Sequence, residues 1–266
     1  MGTIIMAGSC MNISDKEFMR YSRQILLPNV GEHGQIRFKT SQAIILGVGG
    51  LGTLVAHYLA AAGVGEIVLV DGDKVESSNL PRQLLFSEND IGKNKATVAF
   101  IKLQQQYPNI HINVRAEMFT DALQLDFSKQ TVVFDCCDNF ESRHLINRFC
   151  VKNSLPLISA AAANFSGQLF AYYPSVSGCY NCLYPEQIEV NDSCRSVGIL
   201  GPMVGTLASM QALIGLKVML GDKQVFGKLW LFDGNTFQWW TALLEQDPSC
   251  SVCANTEKHV IKENVA

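Results

Sequence analysis

A glycine-rich turn between a predicted strand and a predicted helix is the first feature that suggests chemistry. Gly47, Gly49, Gly50 and Gly52 have the spacing G-x-G-x-x-G. Glycines permit positive φ and let the backbone approach phosphate oxygens, and the start of a helix adds free N–H groups. Asp71 ends the next predicted strand, where an acid can accept hydrogen bonds from ribose hydroxyls. In this context the pattern favours nucleotide binding over a simple tight turn.

The polar residues around this turn argue against NAD, the usual ligand of such a motif. A reaction that brings a carboxylate to the α-phosphate of ATP brings two anions together, so its site needs cations to offset their repulsion. Hydride transfer needs no such cations. Alone, each residue has a simpler explanation, since single cations are mostly solvated and Asp138 could cap the next helix. Together they predict a triphosphate and a metal ion. The set comprises Arg23, Ser78, Asn79, Arg82, Gln83, Lys95, Asp138 and Asn139.

Two C-x-x-C pairs suggest a metal site in the second half of the chain. Cys179 and Cys182 form the first pair, and Cys250 and Cys253 form the second. Four thiolates fill a tetrahedral zinc site completely, which is typical of structural rather than catalytic zinc. Two redox-active disulfides are the rival interpretation, but neither pair opens a helix in a thioredoxin-like context. The spacing therefore favours zinc.

Besides Cys10, near the start of the sequence, the remaining cysteines divide into two groups. Cys136, Cys137 and Cys150 lie in or beside apolar elements and are expected to be small core residues. Cys194 lies in a polar segment beside Arg195, a setting that favours the thiolate. An inert loop cysteine is nearly as good an interpretation of Cys194 from these residues alone.

Composition excludes several classes of protein. The chain has 266 residues, of which 48% are hydrophobic and 17% charged, with a formal net charge of −3. These values exclude disorder and coiled coil, and no basic surface is expected to recruit nucleic acid or anionic lipid. Residues 41–65 and 197–216 carry no charge, but glycines and polar residues interrupt both, so we expect core elements rather than membrane spans. Without a recognisable secretory signal, we expect a reducing cytoplasm.

Alternating strands and helices predict an α/β fold. Ser14 and Glu17 form a capping box that opens the first helix. Strands that alternate with helices of this length are typical of βαβ units and a doubly wound, mostly parallel, Rossmann-like sheet. The predicted strands are Gln42–Leu46, Glu66–Val70, His111–Val114, Thr131–Cys136 and Leu155–Ser159. The later predicted helices are Leu51–Ala62, Lys95–Gln106 and Phe140–Val151.

The second half follows a different pattern. Gly167–Tyr173 is a predicted strand without a preceding helix, and Lys228–Phe232 and Phe237–Leu243 flank a predicted turn. A long helix is predicted over Met203–Leu220, and 186–195 is a predicted polar loop. We therefore expect one domain over residues 11–254, with a nucleotide-binding half (11–160) and an antiparallel half that carries the zinc knuckle (161–254). Residues 1–10 are an expected disordered extension and 255–266 a tail.

This combination resembles the ThiF/MoeB/HesA family, the bacterial relatives of the ubiquitin-activating enzymes. The resemblance runs in consistent order from about Met11 to Cys253 and is highly specific. It rests on Arg20–Gln24, the Gly47–Gly52 loop, Asp71 and Asp73, Ser78–Leu80 with Arg82 and Gln83, Lys95, Asp138 and Asn139 with Arg143, and both cysteine pairs.

The resemblance implies a homodimeric adenylyltransferase. It would join AMP from Mg-ATP to the C-terminal glycine carboxylate of a ubiquitin-like sulfur carrier that ends in Gly-Gly, and release pyrophosphate. The resemblance implies that Asp71 holds the ribose and that Gly49 and Gly50 line the nucleotide. It implies that Arg23, Asn79 and Lys95 contact the phosphates and that Asp138 holds Mg²⁺. It also implies that Arg82 reaches into the neighbouring subunit's site and that the four paired cysteines bind Zn²⁺. Gly47, Gly52, Asp73, Ser78 and Asn139 complete the expected nucleotide site.

The segment around Cys194 resembles the thiamine branch of the family more than the molybdopterin branch. In the thiamine branch, the matching cysteine can become linked through sulfur to the C-terminus of the carrier, which a persulfide enzyme supplies with sulfur. We therefore expect a carrier of thiazole synthesis, with a molybdopterin-synthase carrier as the alternative. An NAD-dependent oxidoreductase and a non-catalytic zinc protein are the alternatives of other classes.

Overall fold

The computed structural model describes residues 12–128, 130–186 and 198–254. The expectations for residues 1–10, the tail and most of the 186–195 loop therefore lie outside the described residues. The helices are α1 (Asp15–Ile25), α2 (Gly31–Thr40), α3 (Gly50–Ala62), α4 (Lys95–Gln106), α5 (Phe140–Lys152), α6 (Tyr180–Leu183) and α7 (Gly201–Met219). The strands are β1 (Gln42–Leu46), β2 (Glu66–Val70), β3 (His111–Arg115), β4 (Thr131–Asp135), β5 (Leu157–Ala163), β6 (Ser166–Tyr172), β7 (Lys228–Asp233) and β8 (Gln238–Leu243).

One eight-stranded sheet runs through both halves of the chain. Its strand order is β3-β2-β1-β4-β5-β6-β7-β8. The first five strands pair in parallel, whereas β6, β7 and β8 are added in antiparallel pairs. This confirms the predicted α/β fold, a mostly parallel sheet extended by antiparallel strands.

Burial on both faces explains why the central strands are continuous apolar runs. All five residues of β1 are buried, and alternate residues face two different cores. Ile45 packs with residues of α3, α4 and α7, whereas Ile44 and Leu46 pack with residues of α5 and of the cysteine-rich region. The nucleotide-binding elements and the cysteine pairs thus share one sheet.

Two departures from the predicted elements have local causes. The sequence analysis missed α2, which contains Gly31 and Gly34, residues that disfavour a helix interior. Gly34 is needed there because a Cβ at this position would lie 2.7 Å from Leu220 Cδ2 at the end of α7. Strand β5 begins at Leu157 rather than Leu155, since Pro156 has no N–H to donate to a ladder.

Helix α7 is long and apolar enough to cross a membrane by length and composition, but half of its most apolar window is buried inside the protein. It packs on α3 and on strands β4, β5 and β6. Gln211 in its middle is fully buried and donates hydrogen bonds to the carbonyls of Asp135 and Ile158 at 2.8 and 2.9 Å. Its packing is that of a core helix, as predicted.

Candidate active site and cysteine cluster

The glycine loop lies where the strand order reverses. Strands β1 and β4 are neighbours, but the chain runs from β1 out to β3 before it returns to β4, and such a crossing point opens a crevice at the carboxyl ends of the strands. Gly47 follows β1 with φ +90°. A Cβ on Gly47 would lie 2.9 Å from the carbonyl oxygen of Cys136, just after β4. The two loops therefore touch.

Gly52 packs directly against the backbone of Gly47, at the other end of the glycine loop. A Cβ on Gly52 would lie 1.9 Å from the carbonyl oxygen of Gly47, so any side chain there would displace the backbone. Gly49 is the N-cap of α3, and no side chain of the described residues caps this helix start. The first N–H groups of α3 and the positive end of its dipole therefore form a favourable place for an anion to bind.

Asp71 is buried and bound to the same loop. Its Oδ2 accepts a hydrogen bond of 2.6 Å from the Val48 N–H, and its Oδ1 accepts one of 2.7 Å from the Asp73 N–H. Burial raises the pKa of Asp71, and these two hydrogen bonds and the nearby Lys95 oppose that rise. Each carboxylate oxygen keeps a second lone pair that could accept from a ribose hydroxyl.

Lys95 reaches this group from the start of α4. Its side chain is mostly buried, and its Nζ lies 3.1 Å from Asp73 Oδ2. Asn94, the N-cap of α4, fixes the approach because its Nδ2 donates to the carbonyl oxygens of Asp71 and Asp73. The ammonium group therefore stands beside the acidic residues that follow β2.

The turn over residues 77–83 covers the start of α3. Asn79 is buried and accepts a hydrogen bond of 3.1 Å from the Glu76 N–H, while the Ser78 carbonyl accepts one of 2.8 Å from Arg82 Nη1. A Cβ on Gly50 would meet the Arg82 carbonyl oxygen at 3.2 Å. The backbone of Arg82 therefore lies against its own chain's loop, and the reach of its side chain into a neighbouring subunit's site stays a prediction.

Asp138 and Asn139 complete this edge of the sheet. Asn139, not Asp138, is the N-cap of α5, since its Oδ1 accepts a hydrogen bond of 2.8 Å from the Ser142 N–H. The exposed carboxylate of Asp138 is therefore not used as a helix cap. A ligand above the crevice can reach it.

A buried polar network holds the loop that carries Asp138. Arg143 donates hydrogen bonds to the carbonyl oxygens of Cys137 and of Ala160, the latter at 3.1 Å. Asp135 accepts from the Cys137 N–H at 3.1 Å and from Ser159 Oγ at 2.6 Å, and its Oδ2 lies 3.8 Å from Arg143 Nη1. Although burial opposes the charge, Asp135 raises the pKa of Arg143. The sequence analysis noted Arg143 but gave it no role.

Arg23 is not brought to the loop by its own chain. It is exposed in the last turn of α1, next to Gln24, whose Nε2 donates to the Ala62 carbonyl at the far end of α3. Helix α3 spans Gly50–Ala62, which places its two ends about 18 Å apart. The structure thus places the other described residues of the predicted nucleotide site at one edge of the sheet and leaves Arg23 apart.

The four paired cysteines meet in one cluster. All four sulfur atoms lie within 4.8 Å of one another, and individual Sγ–Sγ distances are 3.4, 3.8 and 4.0 Å. Tetrahedral zinc with bonds of about 2.3 Å requires sulfurs about 3.8 Å apart, so these residues fit the ion. Hydrogen bonds from the thiols of Cys179 and Cys253 lower the pKa of Cys182. Asn147 and Asn181 donate to Cys179 and Cys250 from outside the cluster.

The other cysteines follow the predictions where they can be described. Cys136 and Cys150 are buried, and burial raises the pKa of both thiols. Cys137 is half-buried against the Leu46 carbonyl. Cys194 lies outside the described residues, so its role stays a prediction.

Comparison with known proteins identifies a matching family and similar proteins of known name. Residues 21–252 match the ThiF family. The chain is 43% identical to the Escherichia coli protein named sulfur carrier protein ThiS adenylyltransferase, over 92% of this chain and 98% of that one. It is 40% identical to the Drosophila ananassae adenylyltransferase and sulfurtransferase MOCS3, over 91% of this chain but only 55% of that longer protein.

Solved structures of E. coli MccB have a similar fold. The crystal structure of E. coli MccB with ATP superposes with a TM-score of 0.76 at 26% identity, over 91% of this chain and 75% of MccB. A second structure, E. coli MccB with MccA-N7isoASN, gives 0.77 at 25% identity over 92% and 77%.

Proposed function

The chain belongs to the ThiF family, and from this premise we propose that it adenylates the C-terminal glycine carboxylate of a ubiquitin-like sulfur carrier at the expense of ATP. The main support is one arrangement at the carboxyl edge of the sheet. The groups that support it lie at this one edge: the start of α3 without a side-chain cap, the acid Asp71, the cations Arg82 and Lys95, and the exposed carboxylate of Asp138.

The reaction is a displacement at phosphorus. A carboxylate oxygen of the carrier attacks the α-phosphorus of ATP, the bond to the bridging oxygen of pyrophosphate breaks, and an acyl-adenylate remains. The chain needs no nucleophile of its own for this step. Arg82, Lys95 and the α3 dipole neutralise the approach of two anions and the charge on the leaving pyrophosphate.

Mg²⁺ would be held by Asp138. Magnesium is usually bound by one or two carboxylates together with substrate phosphates, and Asp138 offers such an exposed carboxylate beside the glycine loop. The ion would offset charge on the phosphate oxygens. The chain would position this carboxylate through the neighbouring residue, since Arg143 and Asp135 both make hydrogen bonds to the backbone of Cys137.

A second copy of the chain would supply Arg23. Within one chain, Arg23 lies at the far end of α3 from the phosphate cradle. Helix α1 also exposes Met19, and Leu26 beside its end is 73% exposed. Exposed apolar side chains near Arg23 are candidates for burial against another protein surface. A homodimer would cover it and place Arg23 of one copy in the site of the other.

The thiamine branch is favoured for the carrier. The E. coli relative named for ThiS has nearly the same length as this chain, whereas the chain spans about half the length of the MOCS3 relatives. The outer sulfur of a donor enzyme's persulfide would displace AMP from the acyl-adenylate, and the Cys194 thiolate would then attack that sulfur and release the donor's thiol, which leaves the carrier linked to Cys194 as an acyl disulfide. Zinc at the four cysteines would be structural, and a reducing compartment such as the cytoplasm would keep these thiols available.

Exchange of labelled pyrophosphate into ATP tests the proposal. We expect exchange that depends on a carrier ending in Gly-Gly, faster with a thiamine-type than with a molybdopterin-type carrier. Asp138→Asn should abolish it, while Asp126→Asn, at an exposed acid that precedes β4 at the opposite edge of the sheet, should not. Absence of exchange with either carrier would contradict the activity, and equal or reversed preference would contradict the branch. Intact mass of Cys194→Ser with carrier and sulfur donor checks the covalent link, which that variant should lack.

A further inference from the structure

Two buried asparagines contact the cysteine cluster from outside it. Asn147 on α5 is fully buried, and Asn181 on α6 is 5% exposed. The Nδ2 atom of Asn147 lies 3.5 Å from Cys179 Sγ, and the Nδ2 atom of Asn181 lies 3.4 Å from Cys250 Sγ. Each C-x-x-C pair therefore receives one side-chain amide.

The orientation of both amides is fixed by backbone N–H groups, which can only donate. Asn147 Oδ1 accepts a hydrogen bond of 2.9 Å from the Tyr180 N–H, and Asn181 Oδ1 accepts one of 3.1 Å from the Glu186 N–H. Because each amide oxygen is engaged in this way, the NH₂ group of the same side chain must face the sulfur. The sulfur atom is therefore the acceptor in both contacts.

A sulfur atom accepts a hydrogen bond best when it carries negative charge. A metal-bound thiolate keeps such charge, whereas the sulfur of a disulfide is neutral, so two amide donors fit a metal site better than a disulfide. Four thiolates around one divalent ion also leave an excess of negative charge, which is costly to bury. Two amide N–H groups aimed at the sulfurs would offset part of that cost.

Asn181 also joins the two cysteine pairs to each other. It lies between Cys179 and Cys182 of the first pair, but it donates to Cys250 of the second pair. Its Nδ2 lies 3.5 Å from Ser251 Oγ as well. The two pairs are far apart in the chain, so a contact that already holds them together reduces the entropy that metal binding must remove.

We infer that Asn147 and Asn181 are positioning residues that retain zinc in the cluster by donating hydrogen bonds to two of its thiolates. The inference goes beyond the proposed adenylation and rests on the proposed zinc site. Residues that make hydrogen bonds to metal ligands orient those ligands, and their loss typically lowers metal affinity about 10- to 100-fold.

The variants Asn147→Leu and Asn181→Leu test the inference, because leucine keeps much of the side-chain volume and removes the amide. Gln211→Met is the matched control. Gln211 is also fully buried, but its amide donates to the carbonyls of Asp135 and Ile158 rather than to sulfur. Competition with a chromophoric chelator measures the zinc affinity of each full-length protein. Absorbance after exchange of zinc for Co²⁺ records the sulfur-to-cobalt charge-transfer band.

We expect each leucine variant to bind zinc about 10- to 100-fold more weakly than the wild type. Loss of an N–H donor raises the energy of the sulfur electrons, so the charge-transfer band should move to longer wavelength. Gln211→Met leaves two buried carbonyls without these donors and should unfold at a lower temperature, with unchanged zinc affinity and band position. The band thus separates a contact with sulfur from a general loss of stability.

Wild-type zinc affinity or an unshifted band in either leucine variant would overturn the inference for that amide. Asn147→Ala and Asn181→Ala provide the same comparison if a leucine variant does not fold. A wild-type chain that carries no zinc would contradict the proposed metal site itself. Carrier-dependent pyrophosphate exchange by the wild type tests the proposed adenylation separately from these measurements.

Discussion

The carboxylate of Asp71 accepts a hydrogen bond of 2.6 Å from the backbone N–H of Val48. The acid that ends one parallel strand is thereby joined to the glycine loop that ends its neighbour. The acid proposed to contact ribose and the loop proposed to contact phosphate are thereby held at a fixed separation. The predictions that follow test this arrangement and the elements that support it.

Gly52→Ala should disrupt the cradle. A methyl group at residue 52 would lie 1.9 Å from the Gly47 carbonyl oxygen, which belongs to backbone and cannot move alone. We expect ATP affinity to fall at least about a hundredfold, since the helix N-terminus loses its geometry. Gly205→Ala is the control, because its nearest neighbour would be Leu54 Cδ1 at 4.0 Å. Calorimetric titration with ATP measures both, and equal affinities would contradict the prediction.

Arg23 and Asp138 should complement each other between subunits. Arg23→Ala and Asp138→Asn are each expected to be inactive as pure proteins. If Arg23 acts across a homodimer, random mixing restores one complete site in half of the dimers, or about a quarter of wild-type exchange activity. Pyrophosphate exchange by the co-expressed pair measures this. Activity no higher than that of either parent would show that both residues serve the same chain's site or that the chain does not dimerise.

Zinc should be bound through the four clustered cysteines and should stabilise the fold. Cys250→Ser removes one ligand of the cluster, so we expect loss of the metal and a lower unfolding temperature. Cys150→Ala removes a buried thiol that lies outside the cluster and should keep one zinc per chain. Elemental analysis by mass spectrometry gives the zinc content. Retention of full zinc by Cys250→Ser would contradict the assignment of the ligands.

Arg143 should be needed as one member of a buried pair. Arg143→Met alone leaves the Asp135 carboxylate buried without its cation, and we expect a loss of about 3–5 kcal/mol in the free energy of unfolding. Adding Asp135→Asn should recover part of this loss, since the unpaired charge is then removed. Urea unfolding measures the three proteins. A double variant less stable than Arg143→Met would contradict this account of the network.

Glu17 should stabilise the protein only above acidic pH. A hydrogen bond from Lys39, with others from the Ser14 N–H and hydroxyl, lowers the pKa of Glu17 from 4.5 to about 2. Because the pKa of the folded state is depressed, the stabilisation is present above pH 4.5 and is lost as the pH falls toward 2.

We expect Glu17→Gln to cost at most about 1 kcal/mol near neutral pH, since the pair is partly exposed, and progressively less as the pH falls below about 4. Urea unfolding across this range measures the difference. Glu117→Gln, at an exposed acid, should show no comparable pH dependence. A cost of Glu17→Gln that does not shrink on acidification would contradict the role of this carboxylate.

Local patterns were sufficient to predict most of the elements. The capping box at Ser14 and the apolar runs of β1 and β2 predicted their boundaries within a residue or two. These signals depend on turn residues, caps and periodicity, which act over a few positions. Helix α2 was missed because its glycines disfavour a helix until Leu220, far along the chain, packs against Gly34.

For the candidate site, too, local motifs could be predicted from the sequence, whereas the spatial arrangement could not. The glycine spacing, the acid after β2 and the two cysteine pairs could be found from the sequence, since motif spacing is a local property. The separation of Arg23 from the cradle could not, nor could the place of Arg82 against Gly50 or the contact of Asn147 with Cys179. These depend on strand order and on helix packing, which bring together residues that no local spacing relates.

The sequence by itself therefore determined the fold class, the position of the glycine loop and the two cysteine pairs. Only the tertiary structure decided which polar groups lie at one edge of the sheet, which ones support them from beneath, and that Arg23 lies apart from them. The physical reason is that hydrogen bonds such as those of Arg143 form between groups distant in the chain, after the sheet has fixed their positions.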